Sequence, residues 1–165
     1  YPPEHFAAVA AGLLEKRPAA ILLAGSPAER PIIDAILQHV PPAFRPSLIS
    51  LPALHNNRGI SLGALKEIIR RSALIIANDT GPRHFAAAFN IPTVTLFGPT
   101  DPRWAETYHP RERIVRIDVP CGPCQLKTCP IDHRCLRDLP PALILAAANA
   151  LLQTPATPGR SNATA

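Results

Sequence analysis

Residues 79–84, Asp-Thr-Gly-Pro-Arg-His, combine an acid, a hydroxyl, a glycine and three further residues suited to a helix start that binds an anion. Pro82 suits the first turn of a helix, and Gly81 lets the backbone approach a ligand that a Cβ atom would exclude. Free N–H groups at a helix start lie at the positive end of its dipole, where phosphates bind. The predicted phosphate donors are the backbone N–H groups of Gly81, Arg83 and His84, the hydroxyl of Thr80, and the side chain of His84 or Arg83.

Asp79 does not suit a phosphate site, because a carboxylate repels a diphosphate. We expect it instead to accept hydrogen bonds from hydroxyls attached to that phosphate, for which a sugar is the obvious carrier. A simpler interpretation remains open at this point. Asp79 and Thr80 would merely cap the helix, and His84 would be an ordinary first-turn histidine.

The segments around this turn have the pattern of an α/β domain. Apolar periodicity predicts helices over 3–16, 32–40, 61–71 (with Ser61 as N-cap), 82–89 and 142–152. Short apolar or β-branched runs predict strands over 19–25, 47–51, 73–78, 92–98 and 113–119. Strands that are apolar on both faces and alternate with helices predict a Rossmann-like parallel sheet flanked by helices.

Three loops that leave the carboxyl ends of these strands carry polar residues, namely 25–30, 78–84 and 97–104. Ligands of doubly wound sheets bind along this edge, so we expect the three loops to lie near each other. Each loop also has a plain interpretation. The Gly-Pro-Thr-Asp-Pro segment at 98–102 would be a proline-rich turn, and Glu29 an acid favoured by a helix dipole.

Length and composition predict one soluble domain. The chain has 165 residues, of which 47% are hydrophobic, and it shows neither an apolar run long enough for a membrane span nor a signal peptide. Its 17 basic and 12 acidic residues give a net charge of +5 without a run of like charges. This favours anionic ligands or a membrane surface and does not indicate nucleic-acid binding.

Both ends of the chain are unusual. The sequence has no methionine and opens directly on a helix-entry pattern, so we expect it to be part of a longer protein. Residues 154–165 consist mainly of proline, serine, threonine, alanine and glycine without periodicity, and this tail is predicted to be disordered.

Four cysteines lie close together between residues 121 and 135, with His133 among them. This clustering differs from the spread-out framework of a secreted disulfide-rich domain, so we expect a reducing compartment. One C-x-x-C pair and two further thiols are enough for structural zinc, although the later spacings depart from common zinc motifs. Structural zinc, reduced thiols and a disulfide remain alternatives for Cys121, Cys124, Cys129 and Cys135.

The stretch NDTGPRHFAAAFNIPTVTLFGPTDPRW, followed by CGPCQLKTCPIDHRCLRDL, resembles the carboxyl-terminal domain of glycosyltransferase family 9, the ADP-heptose:lipopolysaccharide heptosyltransferases. The resemblance extends over nearly the whole chain. It implies the carboxyl-terminal half of a GT-B enzyme, in which two Rossmann-like domains face each other across a cleft. Residues 1–153 would be the donor-binding domain, truncated at its N-terminus and containing the cysteine-rich loop 119–137, and 154–165 its tail.

The resemblance also implies roles for individual residues. Asp79 would contact the sugar of the donor, Thr80 and Gly81 would hold the diphosphate with His84 close by, and Glu29 would reach the ribose, while Gly98, Pro99 and Thr100 would line the cleft. The family's acceptor domain and its acidic catalytic base would lie upstream, so this chain alone is not expected to catalyse transfer. No cofactor is required beyond the zinc alternative, because the helix start stabilises the departing diphosphate in an inverting reaction.

The implied partners are a nucleotide-sugar donor of the ADP-heptose type and a lipid-linked glycan acceptor bound by the missing domain. The implied location is the cytoplasm, at the inner face of the cytoplasmic membrane, with peripheral membrane association. Two alternatives stand beside the enzyme hypothesis. One is a non-catalytic module that binds a nucleotide or phosphate, and the other is an interaction domain built on a zinc loop at 121–135.

Overall fold

The computed structural model of the chain describes residues 1–54 and 59–154. Its strands are β1 (Ile21–Leu23), β2 (Leu48–Ser50), β3 (Ile75–Asn78), β4 (Thr93–Leu96) and β5 (Glu112–Val115). Its α-helices are α1 (Pro3–Leu14), α2 (Arg30–His39), α3 (Leu51–Leu54), α4 (Leu62–Arg71), α5 (Gly81–Ala88), α6 (Arg134–Arg137) and α7 (Pro141–Gln153). Short 3₁₀ turns cover Pro27–Glu29, Pro42–Ser47 and Pro102–Trp104.

All strand pairs are parallel, as the alternation of strands and helices predicts. Backbone hydrogen bonds between the strands define two sheets, β1–β2 and β3–β4–β5, whereas the sequence predicts one sheet. Strands β1 and β2 have three residues each and pair with one another. No ladder in the described ranges joins β1 to β3. Within the larger sheet, Asn78 is level with Leu96 and Leu96 with Val115, so three strands end at the same edge.

Strand β4 is the buried centre of the larger sheet. Successive side chains of a strand face opposite sides, so Val94 and Leu96 face one layer and Thr95 and Phe97 the other. Val94 and Leu96 pack with Ile144 of α7 and with other apolar side chains of α1, β5 and α7. A second core joins α1 and α2 to the smaller sheet through Ala7, Ala10, Ile36, Val40 and Leu48. The strand ends that lead into the predicted site therefore rest on a packed interior.

Local signals explain several element boundaries. The predicted N-cap of α4 is confirmed, since the Ser61 hydroxyl accepts the Ala64 N–H at 3.2 Å. Strand β4 begins at Thr93, one residue later than predicted, because Pro92 has no N–H to donate, although its carbonyl accepts the Ile75 N–H at 2.9 Å. Helix α7 ends at Gln153, and the predicted disordered tail lies, apart from Thr154, outside the described residues. None of the described helices is both long and apolar enough to span a membrane.

Candidate functional site

The turn between β3 and α5 is the centre of the candidate site. Asp79 follows β3 and donates its backbone N–H to the Leu96 carbonyl at 3.2 Å, which ties the turn to β4. Thr80 is the N-cap of α5, with φ of −144° and ψ of 170°. Its hydroxyl donates to the Asn78 carbonyl at 3.2 Å and does not cap the helix. The capping interpretation of this turn therefore fails for Thr80, and the start of α5 lacks a side-chain cap.

The start of α5 is open at Gly81. A Cβ atom added to Gly81 meets no atom within 4 Å, and the residue is exposed. The Arg83 N–H donates to the Thr80 carbonyl at 3.3 Å. By contrast, no hydrogen bond between described residues uses the N–H of Gly81. Of the three predicted backbone donors, the Gly81 N–H is thus available. The Arg83 N–H is engaged in an i to i+3 bond, and His84, the fourth residue of α5, lies beyond the N–H groups that a helix start leaves open.

The Arg83 side chain is buried, which corrects the prediction that it is a phosphate donor. Its guanidinium has no exposed surface and lies 5.1 Å from the centre of the Phe97 ring. One nitrogen, Nη1, donates to Asp79 Oδ1 at 2.7 Å, and Nε donates to Glu112 Oε1 at 3.1 Å. The remaining nitrogen, Nη2, donates to the Ala105 carbonyl. All the hydrogen bonds of this guanidinium are made to protein groups beneath the turn.

Glu112 is the second carboxylate of this buried cluster. It begins β5, its side chain is 8% exposed, and it accepts hydrogen bonds from the hydroxyls of Thr95 and Thr107. Burial raises the pKa of Glu112, but the two hydroxyl donors and the charge of Arg83 lower it more, so the pKa lies below its ordinary value. We call Asp79, Arg83, Glu112, Thr95 and Thr107 the Arg83 cluster.

Residues 98–100 of the predicted loop 97–104 follow β4 at the same edge of the sheet as Asp79. A Cβ atom on Gly98 would lie 2.6 Å from Leu136 Cγ of α6, so only glycine fits there without movement. The Pro99 carbonyl accepts the Gln125 N–H at 2.9 Å. Gly98 and Pro99 therefore hold the cysteine-rich loop against the segment that follows β4, and Thr100 lies beside them, half-buried.

Asp101 ends this loop and caps the 3₁₀ turn after it, accepting the Arg103 N–H at 3.0 Å. Hydrogen bonds from the side chain and backbone of Arg103 lower the pKa of Asp101 to about 2. The carboxylate is buried and stays charged at neutral pH, so it acts as a fixed anchor of the loop.

Glu29 lies on the smaller sheet, in the loop after β1. Its Oε2 accepts the Ser26 N–H at 2.7 Å, and its own N–H donates to the Ser26 carbonyl at 3.0 Å. Across the described parts of the chain, no hydrogen bond or ion pair joins Glu29 to 79–84 or 98–100. The structure thus assembles two of the three predicted loops at one sheet edge and holds Glu29 in a local capping arrangement.

The sequence pattern of glycosyltransferase family 9 (heptosyltransferase) matches residues 1–134. This chain belongs to glycosyltransferase family 9. The family predicted from the Asp-Thr-Gly-Pro-x-His and Phe-Gly-Pro-Thr motifs is therefore confirmed.

The chain is also similar to individual family 9 proteins. It is 38% identical to lipooligosaccharide heptosyltransferase 2 of Campylobacter jejuni over 84 residues, which are 48% of this chain and 26% of that protein. It is 39% identical to lipopolysaccharide heptosyltransferase 1 of Pseudomonas aeruginosa over 70 residues, which are 42% of this chain and 20% of that protein. This chain therefore matches about a quarter or less of the length of these two relatives.

A solved structure extends the similarity to the fold. The ADP-heptose lipopolysaccharide heptosyltransferase II of Escherichia coli superposes with a TM-score of 0.75 at 27% identity, over 92% of this chain and 41% of that one. The parallel α/β class is therefore confirmed as that of a solved family 9 enzyme.

The four cysteines of this family 9 chain are free thiols. They line one cavity of about 210 Å³ together with Pro99, His133 and Leu136. Within 1–54 and 59–154, no three His, Cys, Asp or Glu side chains are arranged to hold a metal ion. Structural zinc at Cys121, Cys124, Cys129 and Cys135 therefore stays a prediction, as one alternative for these thiols.

Local contacts explain why the thiols differ from one another. Backbone N–H groups of Ile131 and His133 lower the pKa of the Cys129 thiol, and the His133 N–H lies 3.3 Å from its sulfur. Burial raises the pKa of the Cys135 thiol. Cys121 is exposed, whereas Cys124 is half-buried. The sulfur of Cys129 thus bonds to the backbone of its own turn.

Arg83 and Glu112 are the site residues that the sequence analysis missed in these roles. One signal for Arg83 was present, because Asp79 lies four residues before it across a helix start, a spacing at which opposite charges meet. Glu112 had no local signal, since it lies 29 residues further along the chain, on an edge strand.

Proposed function

We propose that this chain is the donor-binding domain of a family 9 enzyme that transfers heptose from ADP-heptose to a lipopolysaccharide core acceptor with inversion. The observation that carries the proposal is the uncapped start of α5, where Gly81 is open and its N–H is available. Such a helix start binds a diphosphate through oriented N–H groups and its dipole.

In this proposal, Asp79 binds the sugar beside the diphosphate. Its Oδ1 is held by Arg83, while the side chain remains 18% exposed. A carboxylate accepts hydrogen bonds only, so a sugar hydroxyl is a suitable partner for it. Asp79 would thereby distinguish a nucleotide sugar from the free nucleotide.

The proposed reaction is an in-line displacement at the anomeric carbon. A hydroxyl of the acceptor, deprotonated by a base on the other domain, attacks while the bond to the diphosphate breaks. Negative charge grows on the departing ADP, and the open N–H groups at the start of α5 stabilise it, aided by His84. Thr80 would contribute once its hydroxyl leaves the Asn78 carbonyl, to which it donates. The groups that stabilise the departing diphosphate thus belong to this chain.

The remaining predicted contacts belong to the same proposal. Gly98, Pro99 and Thr100 would line the cleft, because they leave β4 at the same sheet edge as Asp79. Glu29 would need to release the Ser26 N–H, or use its second carboxylate oxygen, to bind the ribose. The acceptor would be a lipid-linked glycan at the inner face of the cytoplasmic membrane, bound by a domain outside this chain.

Calorimetry with ADP-heptose and ADP tests the proposal. We expect the chain to bind both ligands, and Asp79→Ala to weaken ADP-heptose about tenfold or more while changing ADP binding far less, as loss of a charged hydrogen bond implies. Asp138→Ala is the matched control, because the only described side chain that this exposed carboxylate pairs with is Arg137. No binding of either ligand, or equal losses for both, would refute the proposed role.

A further inference from the structure

We infer that the Arg83 cluster is a positioning device that gives the site its preference for a sugar nucleotide over the free nucleotide. The inference rests on the proposed function and assigns roles to two residues that touch no ligand in it, Arg83 and Glu112. It starts from an electrostatic difficulty. A carboxylate at residue 79, two residues before Gly81 of the proposed diphosphate site, repels the ligand unless its charge is compensated.

Arg83 supplies that compensation from beneath the turn. Its guanidinium is fully buried, and its Nη1 lies 2.7 Å from Asp79 Oδ1. This contact leaves Asp79 Oδ2 without a hydrogen bond among the described residues, and the side chain keeps a partly exposed surface. Arg83 therefore fixes one carboxylate oxygen in the protein and leaves the other for a donor hydroxyl.

Glu112 orients Arg83. A guanidinium is planar, so fixing Nε and one terminal nitrogen fixes the direction of the other. Arg83 Nε donates to Glu112 Oε1 at 3.1 Å, and Nη2 donates to the Ala105 carbonyl. With these two nitrogens fixed, Nη1 is directed at Asp79. The hydroxyls of Thr95 and Thr107 hold Glu112 in turn. The chain of contacts runs from β4 and β5 through α5 to the sugar-binding carboxylate.

The arrangement also explains why β4 carries a buried threonine. Thr95 is fully buried on the face opposite to Val94 and Leu96, and its hydroxyl donates to Glu112 Oε1. A hydroxyl there has a specific use, because Glu112 carries more lone pairs than Arg83 alone satisfies. A well-satisfied polar network of this kind holds its members in one geometry.

The test compares ADP-heptose and ADP affinities, by calorimetry on the full 165-residue chain, in variants of the cluster. Glu112→Gln keeps the side-chain shape but removes the negative charge. Arg83→Lys keeps the positive charge but replaces the planar guanidinium, which donates from three nitrogens, with a single ammonium group. We expect each to lower the preference for ADP-heptose over ADP by about 3- to 30-fold, with ADP binding changed less than about threefold. Glu67→Gln and Arg71→Lys are the matched controls, because this exposed ion pair lies on α4.

A double-mutant cycle separates positioning from simple support of the fold. In an Asp79→Ala background, Glu112→Gln should have no further effect on the ratio of the two affinities, since the group it positions is gone. Thr107→Val provides a milder variant if Arg83→Lys fails to fold, and it should lower the same ratio about two- to fivefold.

The outcomes distinguish this inference from the proposed function. If the unmodified chain binds neither ligand, both are wrong. If it prefers ADP-heptose and the cluster variants keep that preference while melting at lower temperature, Arg83 and Glu112 only support the fold. The inference is likewise refuted if Glu112→Gln changes the ratio equally with and without Asp79.

Discussion

Asp79 and Arg83 lie one helical turn apart and face different surroundings. Asp79 stays partly exposed at the sheet edge, whereas Arg83 lies wholly inside, between two carboxylates and the Phe97 ring. Moving a guanidinium out of water is costly unless its hydrogen bonds are met, and here all three nitrogens have acceptors. The residues of one short turn thus divide between ligand binding and support.

Gly81→Ala tests the open start of α5. The added methyl group meets no protein atom, so the unfolding free energy should change by less than about 1 kcal/mol. The methyl would nevertheless occupy the space that a diphosphate approaches, and ADP affinity should fall about tenfold. Calorimetry and urea denaturation measure the two effects separately. Unchanged ADP binding would contradict a diphosphate site at this turn.

Much of this turn was predictable from the sequence, and Arg83 was not. Gly81 and Pro82 indicate a helix start, and the apolar run before Asp79 indicates a buried strand, because these are local signals. The direction of the Arg83 side chain depends on Glu112 and Ala105, which are distant in sequence. The cysteine spacing likewise allowed a metal site but could not establish where each sulfur points.

Among the secondary-structure elements, β5 supports the candidate site through its first residue, Glu112. Glu112 connects the edge strand to α5 through Arg83 and to β4 through Thr95. The pairing of β4 with β5 places Glu112 level with Thr93, two residues before Thr95 and on the same face of β4. The charge state of Glu112 should therefore affect the stability of three elements together.

The pH dependence of unfolding tests this role. The pKa of Glu112 is lower in the folded chain than its ordinary value of 4.5, so the unfolded chain binds more protons between the two values. The stabilisation is present above about pH 4.5 and is lost as the pH falls through the lower, folded value. Urea denaturation from pH 7 to 3 should show a smaller loss for Glu112→Gln, each measured against its own value at pH 7. Parallel curves would refute the assignment.

The contact between α6 and the turn after β4 is a second element-scale feature. Leu136 leaves no room for a Cβ atom on Gly98, so Gly98→Ala should destabilise the chain by about 1–3 kcal/mol through overpacking. Leu136→Ala opens that space at its own cost. In the double variant we expect the loss measured by denaturation to be smaller than the sum of the two single losses. Additive losses would show that the two residues do not compete for one volume.

As a whole molecule, the chain corresponds to one part of the Escherichia coli enzyme structure. This chain matches 41% of that structure, with the same parallel α/β fold over 92% of its own residues. The proposed site needs a facing domain to provide the acceptor and the base. We therefore expect donor binding and sugar transfer to be separable activities, of which this chain has the first.

We expect the 165-residue chain to bind ADP-heptose without transferring the sugar. A ligand that binds the folded state raises the melting temperature by mass action. At a ligand concentration 100 times the Kd, the free energy of unfolding increases by about 2.7 kcal/mol. Turnover requires a base within reach of the acceptor hydroxyl, and the proposed mechanism takes that base from the other domain. ADP release is the measurement, with heptose-deficient lipopolysaccharide as acceptor and the Escherichia coli enzyme as positive control. ADP release by this chain at a comparable rate would show that the base lies within these residues.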